Sequence, residues 1–105
     1  MPTIIARLTM QEGKETEALE MLRTMAAAVQ SEETGARAYV IHRPKDNPLE
    51  IVFFEAYADD AALQAHMQTP HMGAFRSAIG QFFDAPKTKI EQLERIDGFV
   101  RPELT

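Results

Sequence analysis

The chain of 105 residues contains no cysteine. That excludes a disulfide framework, a thiolate nucleophile, a Cys-ligated zinc or iron–sulfur site and a thiolate haem ligand, and it fits a reducing compartment. Basic residues are scarce: eleven Lys and Arg stand against sixteen Asp and Glu, a net charge of −5. Phosphate backbones and anionic lipid surfaces both demand concentrated positive charge, so neither nucleic acid nor membrane is expected as a partner. No apolar run approaches the roughly 20 residues that cross a bilayer. Met1-Pro2-Thr3-Ile4-Ile5-Ala6-Arg7 lacks the basic-then-apolar layout of a secretory signal, so a cytoplasmic location is expected. Serine occurs only at Ser31 and Ser77, and no nucleophile elbow, dinucleotide fingerprint or P-loop is present.

What is there is the composition of a soluble globule, 45% hydrophobic and 26% charged, which argues against disorder. The length allows one domain, residues 1–105. A core this small buries only about 60–70% of the unfolded surface, so a partner subunit would help.

Periodicity gives the elements. Thr3 to Met10 reads as a strand with apolar residues on both parities. Lys14 to Glu33 reads as a helix, because Ala18, Leu22, Met25 and Val29 fall at spacings of four, three and four. Gly35 suits the left-handed position just past its end. Ala38 to Arg43 and Glu50 to Ala58 are strands joined through Pro44-Lys45-Asp46-Asn47-Pro48, a hairpin. Asp59 or Asp60 can cap a helix from Ala61 to Met67. Thr69-Pro70, a capping residue followed by proline at the first helical position, starts another that runs to Phe82. Pro86 introduces a last strand, Thr88 to Ile96, and the tail 97–105 is apolar enough to pack on something.

The order β-α-β-β-α-β is that of the α+β ferredoxin-like fold, with helices on one face of a four-stranded antiparallel sheet. Ile4-Ile5 and Ile51-Val52-Phe53-Phe54 are apolar on both parities, so the second face is expected to meet another copy sheet to sheet, the tail helping.

Three histidines are present. His66 and His71 lie five apart, which on a continuous helix points them roughly 140° from each other, a poor metal motif. A break at Pro70 can turn both rings to one cavity. Two readings stay open: a general base near its pKa, or caps that bridge helix ends. His42, beside Arg43-Pro44, reads as surface. Glu55 interrupts an apolar strand and shares a face with Ile51, Phe53 and Tyr57. It either orients a histidine, acts as an acid of raised pKa, or pairs with Arg7 or Arg37. Arg7 is a candidate for an oxyanion or carboxylate. Tyr39, Met67, Met72, Phe75 and Phe82 are candidates for an apolar pocket, against the plain alternative of core.

Several stretches resemble one family. Ala62-Leu63-Gln64-Ala65-His66-Met67-Gln68-Thr69-Pro70-His71-Met72 looks like the A-L-x-A-H-x-x-x-P-H signature of the antibiotic biosynthesis monooxygenase domain. Glu33-Thr34-Gly35, Tyr39 and Phe54-Glu55-Ala56-Tyr57 with Asp59 resemble its E-x-G…Y…E-x-[WY]-x-D pattern. The resemblance covers nearly the whole chain. It implies a dimeric α/β barrel, and its histidine stretch is most similar to bacterial quinol monooxygenases. That implies oxidation of a quinol or polycyclic phenol by dioxygen with no cofactor and no metal. His71 or His66 would then be the base, Glu55 its orienter, and Arg7 or Tyr39 the oxyanion donor. Haem-degrading members rely on a Trp and an Asn near the haem. This chain has no Trp, and its one Asn, Asn47, is in the hairpin loop. Two other readings are carried: an isomerase of a small phosphorylated sugar-like signal, with Arg7, Arg37 and Arg76 as phosphate candidates, and a non-catalytic dimer that binds apolar small molecules.

Overall fold

The computed structural model describes residues 1–101. Its order is β1 (Thr3–Thr9), α1 (Glu15–Glu32), β2 (Ala36–His42), β3 (Glu50–Tyr57), α2 (Asp60–Met67), α3 (Pro70–Phe82), a 3-10 turn (Ala85–Lys87) and β4 (Lys89–Leu93). The four strands form one antiparallel sheet in the order β2-β3-β1-β4, with the helices packed on one face. This is the ferredoxin-like α+β arrangement that the element order predicts.

Strand alternation sets which face is which. On β1, Ile4, Ala6 and Leu8 are buried beneath the helices, whereas Ile5 is half-buried and Arg7 exposed. Apolar residues on both parities of β1 thus bury only one face of the strand within a protomer. On β3, Ile51, Phe53, Glu55 and Tyr57 all point inward and are buried. From α1, the stripe Ala18, Leu22, Met25 and Val29 closes over them. Removing such side chains from water is the main stabilising term, about 1.5–3 kcal/mol for each large one.

Two boundaries differ from the expectation for physical reasons. β4 ends at Leu93 rather than Ile96, because its only partner is β1 and Thr3, opposite Leu93, is that strand's first residue. Gly35 does not adopt positive φ, which among the described glycines only Gly13 and Gly98 do. It is small for another reason: a Cβ there would lie 2.6 Å from the Ala62 Cβ, so the turn after α1 lets α2 approach closely.

The far face of the sheet is uncovered. Val40, Phe54 and Ile5 lie opposite one another across three strands, and Val40 is 46% exposed. Ile96, Phe99 and Val100 of the tail are exposed as well. The rest of the tail expected to pack, 102–105, lies outside the described residues. No described helix is long and apolar enough to cross a membrane.

Candidate active site: a carboxylate between two histidines

The site begins with a misplaced charge. Glu33 is the residue that ends α1, and that helix has no basic residue in its last turn. A carboxylate at the negative end of a helix dipole is disfavoured by roughly 0.3–1 kcal/mol. Histidines from two other helices compensate. Asp59 caps α2, its Oδ1 accepting from the Ala62 amide at 2.8 Å. His66 lies in the last turn of that helix and is 2% exposed. Thr69 then joins the two helices: its Oγ1 donates to the His66 carbonyl at 2.9 Å and accepts from the Met72 amide at 3.2 Å. With Pro70 at its start, α3 leaves in a new direction and brings His71 round.

Both rings close on one carboxylate. His66 Nδ1 donates to Glu33 Oε1 at 2.8 Å, and His71 Nε2 donates to Glu33 Oε2 at 2.5 Å. The continuous-helix geometry that set the rings apart does not apply, because the break at Pro70 reorients the second one. Deeper in, His66 Nε2 lies 4.0 Å from Glu55 Oε1, and Glu55 accepts from the Tyr57 hydroxyl at 2.6 Å. The rings of Tyr57 and Tyr39 lie against His66, with centroids 5.2 and 5.7 Å away. The result is a polar line, His71–Glu33–His66–Glu55–Tyr57, running from the helix surface to the core.

Burial governs the electrostatics. It pushes the Glu55 carboxyl above the ordinary glutamate range; the Tyr57 hydroxyl and His66 oppose this, while nearby Glu33 adds to it. Burial also raises the Tyr39 phenol, and the negative charges of Glu55 and Glu33 raise it further. Tyr57 is raised by burial first and then by its hydrogen bond to Glu55. Both tyrosines are thus O–H donors, not bases. Glu33, His66 and His71 also present donor atoms within 4.8 Å of one another, close enough to share a metal ion.

His71 opens onto a groove of about 500 Å³ between α1 and α3. Met21, Met25, Phe75 and Ala78 make it apolar, and Glu17 and Glu20 make its rim acidic. A wider groove of about 630 Å³, near Gly80 and Pro86, contains no histidine.

The structure thus brings together His66, His71, Glu55 and Tyr39, and it places Phe75 beside His71 in the groove. It does not bring the others there. Arg7 is exposed and alternates with the inward residues of β1, so it lies on the opposite face of the sheet and cannot serve a group at His71. Met67 is 41% exposed at the end of α2. Met72 is half-buried, and Phe82 packs against the core, neither of them lining the groove. Glu55 pairs with neither Arg7 nor Arg37; its partner is Tyr57. His42 is exposed, as expected, its Nδ1 3.2 Å from the Val52 carbonyl oxygen. Glu33 was not among the predicted site residues. Its one signal in the sequence is its place as the first residue of the Glu33-Thr34-Gly35 pattern.

A ferredoxin-like sheet with a buried line of paired carboxylates and histidines beneath its helices defines a small α+β protein. The chain belongs to the antibiotic biosynthesis monooxygenase family, whose model matches residues 1–78. Among solved structures, PA3566 from Pseudomonas aeruginosa is 28% identical with a TM-score of 0.83, over 91% of this chain and 94% of that one. A Caulobacter crescentus protein provisionally named an antibiotic biosynthesis monooxygenase is 27% identical, TM-score 0.85, over 91% and 90%. Rv0793 from Mycobacterium tuberculosis is 26% identical, TM-score 0.83, over 92% and 96%. No curated protein matches the sequence significantly.

Proposed function

We propose that this chain is a cofactor-independent monooxygenase that oxidises a neutral, electron-rich quinol or polycyclic phenol with dioxygen. The observation that carries the reading is the hydrogen-bonded line His71–Glu33–His66, reached from an apolar groove. With Nε2–H donated to Glu33, His71 keeps its lone pair on Nδ1 and acts as the base towards a phenolic hydroxyl. Glu33 fixes that tautomer and stabilises the imidazolium that forms, and His66 holds Glu33. Tyr39, kept protonated, packs on the buried His66 ring and backs the line from the core side rather than from the groove.

The deprotonated quinol passes an electron to dioxygen, and the resulting pair joins through a new carbon–oxygen bond. Cleavage of the O–O bond leaves one oxygen on the ring and sends the other to water. The balance is quinol plus dioxygen to hydroxyquinone plus water, with the proton held by His71 returned. The groove volume suits one small aromatic molecule. Its acidic rim repels anions, which counts against a phosphorylated sugar as substrate, and Arg7 faces away.

The protein acts as a homodimer in this reading. The uncovered row Val40–Phe54–Ile5 and the exposed tail residues Ile96, Phe99 and Val100 support sheet-to-sheet pairing. The test is oxygen uptake by chelator-treated protein with reduced naphthoquinols, corrected for autoxidation. Uptake above background that falls about 10²–10⁴-fold in His71→Ala is expected. No uptake, or an undiminished rate in that variant, refutes the reading and leaves binding without turnover.

A further inference from the structure

We propose that Glu33, His66 and His71 also form a binding site for a divalent first-row transition-metal ion, taken up in place of the proton line. The inference stands on donor geometry and does not depend on the oxygenase reading.

Two imidazole nitrogens and one carboxylate are a donor set for ions such as Zn²⁺, Co²⁺ or Fe²⁺, and a poor one for Mg²⁺ or Ca²⁺, which prefer oxygen. The three donors come from three helices and already lie within 4.8 Å of one another. Tetrahedral ligands about 2.0–2.1 Å from zinc stand roughly 3.3 Å apart. With Glu33 Oε2 as the shared oxygen, the nitrogen–oxygen separations are 3.1 Å at His66 and 2.5 Å at His71, the first close to that value and the second shorter. Small outward movements of the rings therefore admit an ion. His71 can make the larger one, because it sits in the first turn of α3 and lines the groove.

A carboxylate also lies behind His66, just beyond hydrogen-bond distance. Ligation through Nδ1 moves the His66 proton to Nε2, which faces Glu55 Oε1 at 4.0 Å. Glu55 is itself held by the Tyr57 hydroxyl at 2.6 Å. A shift of the His66 ring by about 1 Å towards Glu55 would bring Nε2 within hydrogen-bond reach of that carboxylate, the arrangement that orients a ligating histidine. The groove gives the ion an entry path and leaves coordination positions for water. The ion and the proton line exclude each other, since each needs the Glu33 carboxylate between the two rings.

The experiment is calorimetric titration of untagged, chelator-stripped full chain with Zn²⁺, and separately with Mg²⁺. One Zn²⁺ per chain is expected, with no Mg²⁺ binding. Circular dichroism establishes that each variant is folded. Glu33→Gln and His71→Ala should each weaken Zn²⁺ by at least about tenfold. His42→Ala, a surface histidine, should bind as the parent does. Absence of Zn²⁺ binding overturns the proposal. So does binding unchanged in Glu33→Gln and His71→Ala, or binding lost in His42→Ala. No quinol or oxygen enters the titration, so its failure and that of the oxygenase reading are separately visible.

Discussion

Replacing Glu33 by alanine removes the one acceptor shared by two rings. His66 is 2% exposed, so its Nδ1–H has no water to turn to. Stranding a buried donor costs about 1–3 kcal/mol. A change of tautomer does not rescue it, because Nδ1 then becomes an unpaired buried acceptor. The His71 side chain is 13% exposed beside the groove and can be rehydrated, so it adds little. Against this loss stands the relief of a carboxylate at the negative end of α1, about 0.3–1 kcal/mol. The net is a destabilisation of about 1–2 kcal/mol, or a Tm lowered by roughly 5–15 °C in a domain of this size. Glu33→Gln separates the two effects. Its amide oxygen still accepts from His66, and its NH2 donates to His71 once that ring changes tautomer. Glu33→Gln should therefore unfold close to the parent. Thermal unfolding followed by far-UV circular dichroism reads both. A Glu33→Ala variant as stable as the parent refutes the reasoning, as does a Glu33→Gln variant that falls equally far.

The Glu55 carboxyl is raised by burial, so the folded chain holds that proton to higher pH than the unfolded chain does. Its contribution is fully present below the ordinary glutamate pKa of about 4.3 and is lost as pH rises through the raised value. Glu55→Gln should flatten urea midpoints across that window, and parallel profiles for variant and parent would show that another group sets the slope. Gly35→Ala places a methyl 2.6 Å from the Ala62 Cβ; an overpacking loss of about 1–3 kcal/mol is expected in urea unfolding, and no loss would mean that α2 yields freely. Thr69→Ala removes the hydroxyl that joins the His66 carbonyl to the Met72 amide; it should cost about 0.5–2 kcal/mol and broaden the ring resonances of His66 and His71 in NMR spectra, and sharp, unmoved resonances would show that packing alone holds the junction.

Much of the fold was legible because it rests on local patterns. The 4-3-4 spacing in α1, the Asp59 and Thr69 caps and the two-proline hairpin each act over a few residues, and all three helices formed where those signals put them. The end of the last strand is not legible locally, because its length depends on where β1 begins, some ninety positions away in sequence. Arg7 and Gly35 differ from their local patterns for a related reason. Which way a strand residue faces depends on the register of the whole sheet, and Gly35 answers to Ala62 rather than to its own turn.

The site was half legible, and the missing half follows from how polar groups are satisfied. His66, His71 and Glu55 stood out because each breaks an apolar or helical pattern. Glu33 figures only as the opening residue of the Glu33-Thr34-Gly35 pattern and is given no role, since one more glutamate on an acidic helix looks like solvated surface. Only the fold turns it into the partner of two rings, by ending α1 under the junction of α2 and α3. A buried histidine must have a partner; here the partner is a carboxylate that its own helix disfavours, and the two penalties cancel only in each other's presence. A pair related in this way is held in place by tertiary structure rather than by local propensity. That is the condition under which a polar line can be tuned for proton transfer, or for metal, without disturbing the helices that carry it.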